Sequence, residues 1–199
     1  MTPVNEGYPR GMEKIRQVMA RVGRAGFLPA HARGVADFDA PVAIGHGQTN
    51  SQPWTVAFML DLLDVHPGHR VLDVGSGSGW TTALLHALLD ARGSLAAVEL
   101  VPELVVFGQE NLRAAGVDVH VHQADEDVFG LPDLAPFDRI LVSAEASSLP
   151  RELVDQLAPG GVMVIPVAGT MLRVTKESED RVTVTRHGDF RFVPLLRRR

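Results

Sequence analysis

The chain has 199 residues, 45% hydrophobic and 22% charged, the balance of one globular domain rather than of a disordered tail. No apolar run approaches the roughly 18 to 20 residues of a bilayer crossing, so no membrane role is expected; a formal net charge of -5, with Arg197-Arg198-Arg199 as the only basic cluster, argues against nucleic acid as a partner. Zero cysteines exclude disulfides, thiolate nucleophiles and cysteine zinc sites, and the opening MTPVNEGYPRGMEKIRQVMA lacks the apolar centre of a secretory signal, so a cytoplasmic protein is expected, with a monomer as the simplest form.

In chain order, a helix is predicted at Gly11 to Arg24, followed by a loop-rich stretch through Asn50. From about Val56 to Val167, short apolar runs alternate with helically spaced stretches, the pattern of a parallel sheet covered on both faces. A helix containing Val56 to Leu63 breaks at His66-Pro67-Gly68, where proline and glycine stop it. Strands are predicted at Arg70 to Val74, Leu95 to Leu100, Val117 to His122 and Phe137 to Ser143. Between them lie helices at Trp80 to Leu89, with Leu84, Leu85, Leu88 and Leu89 inward, and from Pro102 to about Ala115, the proline suiting a first turn. Pro150 opens a further helix through Leu157, and Gly160-Gly161 turns the chain into the strand Val162 to Val167, whose Pro166 suggests a sheet boundary. Alternation then predicts an antiparallel hairpin, Leu172 to Lys176 with Arg181 to Thr185, and a last short strand from Phe190 to Leu196. The fold class is α/β: a Rossmann-like, mostly parallel sheet with an antiparallel C-terminal hairpin.

The most informative run is Val71-Leu72-Asp73-Val74-Gly75-Ser76-Gly77-Ser78-Gly79, a strand entering a loop of alternating glycines and then a helix. Glycines let backbone N–H groups and a helix N-terminus approach a nucleotide-like ligand. The dinucleotide fingerprint G-x-G-x-x-G/A needs a small residue at position 80, where this chain has Trp80, so a nicotinamide cofactor is disfavoured. The loop D-V-G-S-G-S-G instead resembles the first motif of class I S-adenosylmethionine (SAM)-dependent methyltransferases. That resemblance implies SAM as cofactor, with Asp73, Gly75, Ser76, Gly77 and Gly79 packed about its methionine part. Glu99, at the end of the second strand, is placed to grip both ribose hydroxyls, and Asp125, after the third strand, stands near the adenine amino group. Trp80 is expected to cover the adenosine or to lie in the core.

Outside this loop, Ile44-Gly45-His46-Gly47-Gln48-Thr49-Asn50-Ser51-Gln52-Pro53-Trp54-Thr55-Val56-Ala57 resembles the block that precedes the glycine loop in protein-L-isoaspartate O-methyltransferases. Gln156-Leu157 with Gly160 to Val167, Arg191-Phe192-Val193-Pro194-Leu195, Phe27-Leu28-Pro29 and Asp39 fall into the same register, so the resemblance runs from about Met12 to Leu196. It implies methyl transfer to the α-carboxylate of isoaspartyl residues in damaged proteins or peptides, a repair step. The carboxylate is already ionised at neutral pH, so the chemistry needs positioning and no general base. Ser51 matches the family's active-site serine and is expected to hold the carboxylate or to cap the helix starting near Pro53. Gln48, Thr49 and Gln52 would supply donors or line the channel. Residues 1–55 would form a helix-and-loop segment capping the site, and 56–199 the SAM-binding part of one globular unit.

Two departures stand out. Asn50 occupies a position where the family has an apolar isoleucine or valine, and Ser143-Ala144-Glu145-Ala146-Ser147-Ser148 replaces a run containing two prolines. Glu145, facing the substrate, would repel a carboxylate and favour another acceptor; facing solvent, it would do neither. The alternatives are thus a methyltransferase with a different acceptor, or a SAM-binding protein without transfer. His31, His46, His66, His69, His86, His120 and His122 show no i, i+4 pair with a nearby acid, so no metal is expected. A hydrolase is disfavoured because Gly75 to Gly79 has glycine at the centre, where a nucleophile elbow needs serine.

Overall fold

A computed structural model of the chain describes residues 12–89, 91–125 and 127–196. Gly11, where the first helix was expected to begin, and the terminal arginines lie outside them. Helix α1 (Glu13–Val22) buries Ile15, Val18 and Met19, three and four residues apart on one face, and ends at Gly23 with φ 61°. The stretch that follows is not all loop. β1 (Val42–Gly45) and β2 (Gln48–Asn50) form an antiparallel hairpin, its two-residue turn made by His46 (φ 52°) and Gly47 (φ 72°). Positive φ at both central residues is what a turn matching strand twist demands, and glycine supplies one of them without strain.

α2 (Pro53–Leu63) starts on a proline and stops at Asp64 in the left-handed region, before the Pro67-Gly68 break. Then follow β3 (Arg70–Val74), α3 (Trp80–Leu88), β4 (Ser94–Glu99), α4 (Pro102–Ala114), β5 (Val121–Gln123), β6 (Phe137–Val142), α5 (Arg151–Asp155), β7 (Leu157–Val167), β8 (Thr170–Ser178) and β9 (Arg181–Asp189). The main sheet has the order β5-β4-β3-β6-β7-β8-β9. β3 pairs in parallel with β4 and β6, β4 with β5, and β6 with β7, whereas β8 and β9 add antiparallel. Successive strand residues feed opposite faces. Val71, Leu141 and Val164 pack with α1, α2 and α3; Leu72, Val74, Ile140 and Met163 pack with Leu153 and Val154 of α5. Among the described residues, no helix is long and apolar enough to cross a membrane.

Three elements differ from the sequence expectation. β5 begins at Val121, not Val117, because the Gln109 side chain takes up the backbone there: its Nε2 donates to the Val119 carbonyl (3.0 Å) and its Oε1 accepts from the Val121 N–H (3.0 Å). β7 runs through Gly160-Gly161 rather than starting after it, with an irregular register against β6. Pro166 does not mark a sheet edge: it lies two residues past the last β6 pairing, Leu141 with Val164, where β7 pairs with β8 on one side and the Pro166 carbonyl accepts from the Ala146 N–H (3.0 Å) on the other. The expected closing strand is absent. Residues 190–196 instead bridge the loop after β6, pairing Pro194 with Glu145 through Glu145 N–H to the Val193 carbonyl (2.7 Å) and Leu195 N–H to the Glu145 carbonyl (2.7 Å), while the Phe190 N–H donates to the Gly169 carbonyl (2.7 Å).

Candidate active site

β3, β4, β5 and β6 all deliver their carboxyl ends to one side, and the order reverses between β4 and β6 on either flank of β3. A crevice at such a switch point is where open α/β sheets bind ligands. A cavity of about 910 Å³, counting its open mouth, lies here, walled by the glycine loop, the β1–β2 hairpin, the ends of β4 and β5, the loop after β6 and residues 193–196.

Gly75, Gly77 and Gly79 have φ of 76°, 52° and 85°, a run that side chains rarely tolerate. Space is short as well. A Cβ at Gly77 would meet Ile44 Cδ1 at 3.4 Å, and one at Gly108 of α4 would lie 2.7 Å from the Gly77 carbonyl, so this glycine lets α4 pack on the loop. The N–H groups of the loop are largely engaged within the protein, contrary to the expectation that they face the ligand. Those of Gly75 and Ser76 donate to the Val98 carbonyl (2.9 and 3.2 Å), that of Gly79 to the Ser76 carbonyl (2.9 Å) and that of Gly77 to Glu99 Oε2 (2.9 Å). A phosphate cradle needs such donors free, and here an anionic carboxylate stands in the cavity wall; the site therefore suits an uncharged or cationic nucleoside and disfavours a pyrophosphate.

Glu99 is buried, and its Oε1 accepts from the N–H groups of Leu100 (2.7 Å) and Val101 (2.9 Å). Both oxygens thus already carry backbone hydrogen bonds. A carboxylate offers about four acceptor positions; Oε1 has used its two, and only Oε2 retains one for a sugar hydroxyl. Leu100, Val101, Val128 and Phe129 supply apolar wall beside it, and Asp125 lines the same end, with Oδ1 accepting from the Asp127 N–H (2.7 Å).

Asp73 does not line the cavity. It is fully buried beneath the loop, where Oδ2 accepts from the Thr82 hydroxyl (2.7 Å) and Oδ1 has no partner among the described residues. Burial raises its pKa to about 7; the Thr82 hydrogen bond opposes the shift and the Glu99 charge adds to it. Asp73 thus underpins the loop and reaches no ligand directly. The Ser76 hydroxyl is likewise buried without a partner, although the residue itself lines the cavity. Trp80 is core, 3% exposed, with the Arg24 guanidinium carbon 5.5 Å from its ring centroid.

On the opposite wall, Gln48, Thr49 and Ser51 line the cavity as expected, joined by Asn50, but Gln52 does not. Its Nε2 donates to Asp39 Oδ2 (2.8 Å), while Asp39 Oδ1 accepts from the Trp54 N–H (2.8 Å). Asp39 therefore provides the carboxylate at the start of α2, the role held open for Ser51. No side chain of the N-terminal residue itself caps this helix, and the Ser51 hydroxyl has no hydrogen bond among the described residues.

Glu145 is also outside the cavity. Along the loop after β6, Ser143 and Ala144 face it, whereas Glu145 points into a separate hollow with Asp189, Phe190 and Arg191, its Oε2 near the Phe192 N–H (3.5 Å). Of the two alternatives for this acid, facing the substrate or facing solvent, the side chain takes the one away from the cavity, because its backbone bridge to 193–195 turns it the other way. Arg24, Asp39 and the 193–196 segment were not singled out as site-forming residues. Arg24 binds mostly carbonyls, so local pattern carries no signal for it; the R-F-V-P-L run did signal the last segment.

A doubly wound sheet with this loop and an acid at the adjoining strand tip defines a methyltransferase of the class I, nucleoside-binding type. The family model described as Protein-L-isoaspartate(D-aspartate) O-methyltransferase (PCMT) matches residues 5–199. The protein-L-isoaspartate O-methyltransferase of Aeropyrum pernix is 45% identical over 191 residues, covering 92% of this chain and 72% of that one. That of Thermococcus onnurineus is 44% identical over 198 residues, covering 96% and 88%. A solved Plasmodium falciparum beta-aspartate methyltransferase (PCMT), in complex with S-adenosyl-L-homocysteine, superposes with a TM-score of 0.81 at 28% identity, covering 95% of this chain and 94% of that one. The chain belongs to the protein-L-isoaspartate(D-aspartate) O-methyltransferase family, whose methyl donor is S-adenosyl-L-methionine.

Proposed function

We propose that this protein methylates the α-carboxylate of L-isoaspartyl residues in damaged proteins or peptides. One observation carries the choice of acceptor. The β1–β2 hairpin, Ser51 and the loop after β6 contribute neutral hydrogen-bonding groups to the cavity, Gln48, Thr49, Ser51 and Ser143, while its acids, Glu99 and Asp125, come from the ends of β4 and β5 and Glu145 lies outside it. An anionic acceptor would meet donors there and no like charge. When bound, SAM supplies an electrophilic methyl group. The residues suited to hold it are the Gly75–Gly79 loop, Glu99 through Oε2, the apolar wall at Leu100, Val101, Val128 and Phe129, and Asp125 at the rim.

Ser51 then acts by position: its uncommitted hydroxyl donates to the incoming carboxylate, which needs no deprotonation at neutral pH. The described part of segment 1–55 serves as the cap through Ile44 and residues 48–51, which wall the cavity. The cysteine-free composition suits a reducing compartment, so the cytoplasm is the compartment proposed, with a monomer as the simplest working form. The test is incubation with methyl-labelled SAM and an isoaspartyl peptide. Base-labile label on the peptide is expected; donor binding without such label would favour a different acceptor or no transfer.

A further inference from the structure

Asn50 interrupts an otherwise simple design. It is 5% exposed at the end of β2, immediately before Ser51, where a side chain without polar atoms would meet no desolvation cost. Both ends of its amide are matched. Oδ1 accepts from Arg24 Nε (2.7 Å) and Nδ2 donates to Ser78 Oγ (2.9 Å).

The two bonds lead to different parts of the site. Arg24, 6% exposed, gathers the cap: its terminal nitrogens donate to the carbonyls of Phe38 (3.1 Å), Ala40 (2.9 Å), Asn50 (3.0 Å) and Ser51 (3.0 Å). That grip fixes the backbone at Ser51 and the segment bearing Asp39. Ser78, 3% exposed, sits within the glycine loop between Gly77 and Gly79, and its carbonyl accepts from Asn111 Nδ2 of α4 (3.0 Å). The amide of Asn50 thus joins the segment that presents Ser51 to the loop that holds the methyl donor, through a buried path of two hydrogen bonds.

We infer that Asn50 is a positioning residue that couples the two ligands of the proposed reaction, the Arg24–Asn50–Ser78 bridge letting an ordered donor loop preset Ser51 for the acceptor. The inference rests on the methyltransferase reading above. Where binding at one site orders an element that the other site shares, the two affinities are coupled reciprocally, typically about 5- to 150-fold. Asn50→Leu removes both bonds at similar volume; Ser78→Ala removes only the far one. Asn50→Asp keeps the bridge, because its carboxylate accepts from Arg24 and from a rotated Ser78 hydroxyl.

The test is calorimetric titration of an isoaspartyl peptide into the full-length protein, with and without saturating S-adenosylhomocysteine. In the parent, the homocysteine product is expected to tighten peptide binding about fivefold or more. The gain should shrink to within about twofold in Asn50→Leu and Ser78→Ala and return in Asn50→Asp, with KM for the peptide rising more than kcat falls. A Ser78→Ala protein with the parent's coupling overturns the inference, even if Asn50→Leu fails to fold. A parent that binds both ligands without coupling overturns it too, leaving the functional reading intact. A parent that binds no S-adenosylhomocysteine refutes that reading itself.

Discussion

Asp73 makes the cofactor loop a source of pH-dependent instability, and Asp73→Asn isolates the effect. In the unfolded chain this carboxyl ionises near its ordinary 3.8; buried under the loop it holds its proton until about pH 7. Between those values the unfolded state has released a proton that the native state keeps, so stability falls as pH rises from about 4 to about 7 and is level above that. At about 1.4 kcal/mol per pH unit, the full penalty is about 4 kcal/mol, a large part of the 5 to 15 kcal/mol typical of a domain. Asparagine cannot ionise, and its Oδ1 still accepts from Thr82. Its buried N–H groups add a constant cost that leaves the slope untouched. Denaturant unfolding at pH 4.5, 6 and 8 is therefore expected to show the variant gaining on the parent by up to about 3 kcal/mol across that range, because part of the penalty is already present at pH 4.5. Parallel pH profiles for the two proteins would refute the burial argument.

Four further outcomes follow from the same geometry. Glu99→Gln places an amide where the Gly77, Leu100 and Val101 N–H groups need an acceptor; by the cost of a lost charged hydrogen bond, about 1 to 3 kcal/mol, S-adenosylhomocysteine should bind roughly 5- to 150-fold more weakly by calorimetry. Gly108→Ala drives a methyl toward the Gly77 carbonyl, 2.7 Å away, and should lower stability by about 1 to 3 kcal/mol along with cofactor affinity; unchanged affinity would mean that α4 does not support the loop. Ser51→Ala should cut kcat/KM for an isoaspartyl peptide roughly 10- to 150-fold while sparing S-adenosylhomocysteine binding, on the usual worth of a hydrogen bond to a charged group; transfer at the parent rate would remove Ser51 from the mechanism. Glu145→Gln should leave peptide KM within about twofold, since this acid faces the hollow beside Asp189; a several-fold drop in KM would put its charge near the acceptor after all.

The sheet was legible because its strands are continuous apolar runs, and the glycine loop because no other residue type combines those backbone angles with close approach by α4. Less local features escaped. The β1–β2 hairpin carries no apolar alternation, only a His-Gly turn. The shortened β5 reflects the Gln109 side chain competing for backbone groups, and residues 190–196 form no strand because they bridge a loop, not a strand edge. Within the site, Gly75, Gly77, Glu99, Asp125 and Ser51 came together in one cavity, with Gly79 outside its lining. Asp73, Gln52 and Glu145 did not, since one-residue differences in facing decide which wall a side chain joins. The Arg24 and Asp39 anchors are tertiary: their partners lie 12 to 27 and 13 to 15 residues away and include backbone atoms that sequence cannot single out.

The central claim is that the neutral wall around Ser51 selects an isoaspartyl carboxylate for methylation. Two peptides of one sequence, differing only in carrying isoaspartate or ordinary aspartate at a single position, test it in side-by-side reactions with SAM followed by mass analysis. The account predicts a base-labile methyl ester on the isoaspartyl peptide alone. Equal methylation of both, or methylation of neither by protein that binds S-adenosylhomocysteine, would contradict it.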